Sequence, residues 1–183
     1  MCFRKFLILL LLFSIVGCSN ISKSEDKKNN YTLINGVVLS KGESNLLVSG
    51  KTSSSSEKNS LFLLGLSKDI QITESNEISS FENLEIGVGI QVKVIAPLLE
   101  SLPAEGKAVE AKVLTTDNPE NDLTKAKIIQ TIVNFIGDTY FIIDNLEFVK
   151  ESNQWIAELT IIESSTSRKL IINATTGEIE SNN

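Results

Sequence analysis

Few of the 183 residues offer chemistry. There is no histidine, which removes the commonest general base, the commonest metal ligand and every Ser-His or Cys-His nucleophile pair. The two cysteines, Cys2 and Cys18, both lie at the very start of the chain. The body therefore holds neither a disulfide framework nor a thiolate metal site. What remains is carboxylate, lysine and tyrosine chemistry. One cluster is Glu100-Ser101-Leu102-Pro103-Ala104-Glu105, two carboxylates and a hydroxyl around a rigid turn. As a nucleophile Ser101 has no histidine to activate it, and Lys107 is the only nearby base. A bend fixed by Pro103 ahead of a strand explains the segment more simply. Glu100, Ser101, Pro103 and Ala104 are thus read as a structural or interaction motif, not a catalytic one. A second cluster, Asp117, Glu120 and Asp122, offers oxygen ligands to a hard cation such as Ca²⁺. Its spacing does not fit an EF-hand loop, and helix capping accounts for all three residues. No catalytic, cofactor or metal site is assigned, and the expectation is a protein that is not an enzyme.

Cys18 raises a different chemistry. Arg4 and Lys5 precede the apolar run Phe6 to Val16, FLILLLLFSIV. That run is too short for a membrane-spanning helix, which needs about 20 apolar residues, and suits the hydrophobic region of a signal peptide. Ile15-Val16-Gly17-Cys18 follows and resembles the bacterial lipobox. The resemblance implies that the Cys18 thiol carries a diacylglyceryl group and that cleavage makes Cys18 the new N-terminus. Two or more fatty chains anchor a protein stably where one does not. Residues 1–17 are then a lipoprotein signal helix. Residues 18–30 are the lipidated cysteine and a polar tether, SNISKSEDKKNN, too poor in apolar residues to offset the entropy of ordering.

The net charge is −6, and −8 without residues 1–17. Such a chain repels phosphate backbones. Residues 31–116 contain only three aromatic residues, Tyr31, Phe62 and Phe81, where stacking on single-stranded nucleic acid needs aromatic platforms. Nucleic acid is not expected as a partner.

The elements that must position these residues are mostly strands. Short apolar runs broken by turn signals predict strands at 33–40, 45–49, 61–64, 69–73, 89–96 and 106–114. In the fifth, Ile90, Val92 and Val94 face one way. In the sixth, Ala108, Glu110 and Lys112 oppose Val109, Ala111 and Val113. Residues 51–60, KTSSSSEKNS, form a polar hairpin loop, and residues 80–84 a helical turn. Five or six strands with one short helix before the penultimate strand suit a small Greek-key barrel of the OB type. Residues 117–122 mark a junction and start a helix, with Asn118 as cap and Pro119 at its first position. Ala126, Ile129, Val133 and Ile136 form its apolar stripe, widened by Ile128 and Ile132, and Gly137 ends it. Strands follow at 140–149, 154–163 and 168–173. Trp155, Ala157, Leu159 and Ile161 share one face, against the helix.

Two resemblances attach to these stretches. Gly89-Ile90-Gln91-Val92-Lys93-Val94, then Glu100-Ser101-Leu102-Pro103-Ala104, then Lys107-Ala108, resemble the C-terminal half of a family of small Gram-positive lipoprotein domains with no assigned function. Ile34-Asn35-Gly36-Val37-Val38 fits its opening. Leu102 and Ile95 replace its usual aromatic residues. This resemblance implies an OB-like barrel over residues 31–116, outside the cytoplasm. Trp155-Ile156-Ala157 and Asn173-Ala174-Thr175-Thr176-Gly177-Glu178-Ile179 resemble the PepSY domain, with Asn173 in place of an acidic residue. It implies a cystatin-like α+β domain over residues 117–183.

The expected molecule is a membrane lipoprotein, modified by fatty chains such as palmitate, on the extracytoplasmic face of the cell membrane. Its expected partners are that membrane and another envelope protein or peptide. A lipoprotein that binds a cation or a small envelope molecule is the alternative.

Overall fold

The computed structural model describes residues 30–54, 58–75, 77–114 and 123–182. The signal segment, Cys18 and the tether up to residue 29 lie outside the described residues, as do Asp117, Asn118, Pro119, Glu120 and Asp122. The protein is mainly β with one α-helix, arranged as a closed five-stranded barrel and a second sheet.

The barrel is made of β1 (Tyr31–Lys41), β2 (Asn45–Thr52), β3 (Ser60–Glu74), β5 (Gly89–Leu99) and β6 (Ala104–Leu114), with the short β4 (Glu77–Ser79) flanking β3. Strand β1 pairs with both β2 and β5, β2 with β3, and β5 with β6. A parallel pairing of β3 with β6 closes the ring. This order, with a 3₁₀ turn at Phe81–Asn83 before β5, is consistent with an OB-like barrel. The interior follows from period-two alternation. Ile34, Val38, Leu46, Val48, Phe62, Leu64, Ile90, Val92 and Val94 point inward and are buried together. Gly36 stands opposite Gly50 in the β1–β2 register. A Cβ on either would overlap the other strand's backbone, so the strands approach there only because both residues are glycine.

Three expectations are corrected. Residues 61–64 and 69–73 belong to one strand, not two. Leu66 pairs with Ala108 and Gln71 with Glu110, so residues 67–70 stand against the single Val109, and the polar Ser67-Lys68-Asp69 in that bulge mimics a turn in the sequence. In β6, Lys93 pairs with Glu110 but Val94 with Ala108. Val109 is the extra residue, and this bulge puts Ala108 on the same buried side as Ala111 and Val113. The helix α1 runs Lys125–Ile136, capped by Thr124, whose hydroxyl accepts from Lys127 N at 3.3 Å. Asn118 is not its cap. The helix begins where it meets the barrel, with Ala126 against Gly87.

The second sheet is an antiparallel meander, β7 (Phe141–Val149), β8 (Gln154–Ile161), β9 (Thr166–Asn173) and β10 (Ile179–Asn182). The last strand is one that the sequence analysis lacks. As expected, Trp155, Ala157, Leu159 and Ile161 share the buried face. Ile128, Ile129 and Ile132 of α1 pack in the same cluster, and Gly137, at φ +73°, ends the helix.

That cluster does not stop at the second unit. It also contains Leu39, Leu47 and Leu61 of the barrel, with Val37 and Leu63 packed against it. Strand β2 is therefore buried on both faces, Leu46 and Val48 inside the barrel and Leu47 and Ser49 outside. This is why it reads as an unbroken apolar run instead of an alternating one. Polar bonds seal the contact. The buried Ser49 Oγ accepts from Ile143 N at 2.9 Å. Asn59 Nδ2 donates to Ile143 O at 2.6 Å. Gln130 Nε2 of α1 donates to Ile86 O at 2.9 Å.

Candidate functional site

The candidate site is built from the β5–β6 connection upward. Strand β5 ends at Leu99 and β6 begins at Ala104, leaving Glu100-Ser101-Leu102-Pro103 as the loop. Ser101 N donates to Leu99 O at 3.0 Å, and Ser101 Oγ donates to Pro103 O at 2.6 Å. The hydroxyl is thus engaged within the loop. Glu100 and Ser101 are exposed, and Pro103 and Ala104 half-buried. Ala104 packs against the barrel core. Lys107 and Glu105 stand on the outward side of β6.

This loop borders a groove of about 570 Å³. Leu63, Gly65, Ile95, Pro97, Leu99 and Lys107 line it. Ser44 and Asn45, where β1 turns into β2, close the other side. The volume lies in the range of small-molecule sites, and the lining is mainly apolar.

Two leucines at this end point into water. Leu99 is 62% and Leu102 58% exposed. Tyr31 is directly opposite Ile95 and Leu33 opposite Lys93 in the β1–β5 register. Residues directly opposite share a face, so Leu33, Tyr31, Ile95, Pro97 and Leu99 make an outward apolar band that runs to the loop. Lys93 lies over the Tyr31 ring at 4.7 Å and pairs with Glu110 at 3.3 Å. The loop is legible in the sequence, while this band arises from the β1–β5 pairing. The signal for it was there: Leu102 and Ile95 stand where aromatic residues are usual in the family the stretch resembles.

The chain also enters the barrel here. Ala96 N donates to Asn30 O at 2.8 Å. It leaves from the other end of β5, where Leu114 pairs with Gly89. At that far end Gly87 N donates to Val38 O at 2.8 Å and α1 is docked. Entry and exit are therefore at opposite ends of one strand.

The turn at Asn173 is fully accounted for by local bonds. Asn173 Oδ1 accepts from Thr175 N at 2.9 Å and Thr176 N at 3.0 Å. Thr176 Oγ1 accepts from Glu178 N at 3.2 Å, and Gly177 sits at φ +75°. The motif serves to fold β10 back onto β9. Among the described residues there is no group of three or more His, Cys, Asp or Glu that could hold a metal ion. No helix of the described residues is long and apolar enough to cross a membrane.

Residues 35–115 match the model of a family described as "Protein of unknown function (DUF3221)". The matched stretch coincides with the barrel. No curated protein and no solved structure matches the chain.

Proposed function

We propose that this chain is a lipid-anchored, non-enzymatic interaction module on the extracytoplasmic face of the cell membrane. Cys18 is the anchor, residues 18–30 the tether, and the helix-and-sheet unit the part offered to another envelope protein or peptide. The observation that carries the reading is the polarity of the barrel. The tether enters beside Ala96 and the chain leaves beside Gly89. At about 3.3 Å per residue, that separates the anchored end from the docked end of α1 by about 20 Å. A body built this way holds its second unit away from its anchor.

Two further observations support it. Part of the outer face of β2 and β3, where OB barrels commonly take oligonucleotides or sugars, is occupied in this chain by α1 and β7 through Leu47, Leu61 and Ser49. This supports leaving nucleic acid out of the proposed partners. The second unit, one helix on an antiparallel sheet with Trp155 in its second strand and the Asn173 turn before its last, favours the PepSY-like reading, a module type associated with peptidase propeptides and surface proteins.

The test is crosslinking in the native membrane followed by mass spectrometry, beside the Cys18→Ala variant. We expect the natural chain to begin at a lipid-modified Cys18, the variant to leave the membrane, and crosslinks from the second unit to recover an envelope protein. A natural N-terminus elsewhere, or repeatable absence of any protein crosslink, overturns the proposal.

The alternative, a lipoprotein that binds a small envelope molecule, draws on the groove beside Pro97. It predicts a rise in melting temperature with that molecule, since ligand at 100 times its Kd adds about 2.7 kcal/mol.

A further inference from the structure

We propose that the loop end of the barrel rests on the bilayer to which the chain is anchored, with Leu99 and Leu102 entering the boundary between headgroups and acyl chains. The inference rests on the anchor reading above and names what that end of the molecule touches.

Position comes first. Asn30 is bonded to Ala96, the residue before Pro97 at the groove, so the tether joins the body beside the exposed leucines. The twelve peptide steps from Cys18 to Asn30 span at most about 43 Å. The loop end is thus the end of the barrel nearest the anchor along the chain.

Chemistry comes second. Leu99 ends β5 and Leu102 lies on the loop that follows, braced by the Ser101–Pro103 bond, and both are more than half exposed. Leu33, Tyr31 and Pro97 continue the apolar surface along β1 and β5. A contiguous exposed patch of this kind marks an interaction surface. Tyrosine with a lysine ammonium over its ring suits the headgroup level, where amphipathic side chains gather. The other large exposed apolar residues, Ile78 on β4 and Phe135 and Tyr140 in the second unit, stand apart from the tether.

Charge decides the kind of contact. The body is acidic, and the charged residues around the loop are of both signs, Glu100 and Glu105 against Lys107, with Lys93 on the band already paired to Glu110. Anionic headgroups offer such a surface no net attraction. The contact is therefore apolar and indifferent to salt, unlike that of a polybasic membrane surface.

The full mature lipoprotein in phosphatidylcholine vesicles containing phosphatidylglycerol provides the test. In that protein the Cys18 sulfur is blocked by its lipid, so Leu102→Cys introduces the one free thiol for a fluorophore, and Ile78→Cys places the same label at the far side. Quenching by a nitroxide carried on the lipid chains should be several-fold stronger at 102 than at 78, in low and high salt alike. Co-flotation with the vesicles reads the anchor separately. Flotation with equal quenching at both positions, or with quenching at 102 that salt abolishes, overturns the apolar contact and leaves the anchor standing. Failure of the mature chain to float removes the anchor, and the contact with it. In native membranes, a photoprobe at 102 should label lipid; labelling of a protein or of a second copy instead overturns the proposal.

Discussion

Ser49 is the clearest case of a single side chain carrying a structural contact. It is the one buried polar side chain among the described residues, and its hydroxyl satisfies Ile143 N at the edge of β7. Ser49→Ala leaves that N–H buried and unpaired, and should destabilise the protein by about 1–3 kcal/mol in urea melts. Asn59 on the Ile143 carbonyl makes the pair reciprocal. Lys41 does a similar service on the barrel. Its ammonium donates to the carbonyls of Glu82 at 2.9 Å and Leu84 at 3.0 Å, and lies over the Phe81 ring. The carboxyl of Glu82 is held below its ordinary value of 4.5 by its own backbone N–H first, then by the Ser80 hydroxyl, with Lys41 adding to both. A folded value below the unfolded one means stability that is present above pH 4.5 and lost as pH falls through the lowered value. The small melting-temperature advantage of wild type over Glu82→Gln at neutral pH should therefore vanish on acidification. An advantage that persists in acid would contradict this account of Glu82.

At the scale of elements, the helix is placed by a glycine outside it. Gly87 has φ +91°, and a Cβ there would overlap the Ala126 carbonyl. Gly87→Ala should cost more than the ~1–2 kcal/mol of the backbone conformation alone, because it also pushes α1 off the barrel. The measurement is the urea midpoint beside that of Gly137→Ala. Gly137 also has positive φ, but nothing lies within 4 Å of its missing Cβ, so it bears only the conformational cost. Equal losses at the two positions would refute the docking role of Gly87. The apolar stripe of α1 was legible from spacing, as was the stop at Gly137. The start was not. The described helix opens at Lys125 behind the Thr124 cap, just after Leu123 packs against the shared core, and where a helix docks on a distant surface is not written in its capping residues. The bulges at Ser67-Lys68-Asp69 and Val109 were illegible for a related reason. A bulge exists only relative to a partner strand, and the parallel β3–β6 partner is separated by about 40 residues of chain.

Across the whole molecule, barrel and second unit share one hydrophobic cluster through Leu39, Leu47 and Leu61. The lone tryptophan, Trp155, lies in the second unit, while most of the strand signal in circular dichroism comes from the barrel. The two probes should report one coincident unfolding transition. Leu61→Ala, a change in the barrel, should lower the Trp155 midpoint with a loss of about 2–5 kcal/mol. Separate midpoints for the two probes would show that the shared core does not couple them. Coupling matters for the proposed role, since a rigid body transmits the orientation set at the membrane to the surface offered to a partner.

The sequence by itself determined the local things: which runs are extended in most of the strands, which face of β5 and β8 is buried, and where the Gly137 and Asn173 turns fall. These follow from periodicity and turn residues, both of which act over a few residues. The tertiary structure alone decided that β2 is buried on both faces, that α1 and β7 cover the barrel, and that Tyr31, Pro97, Leu99 and Leu102 gather where the chain enters. Those outcomes depend on pairings between distant segments. Their stability comes from shared burial, which no single stretch of sequence contains.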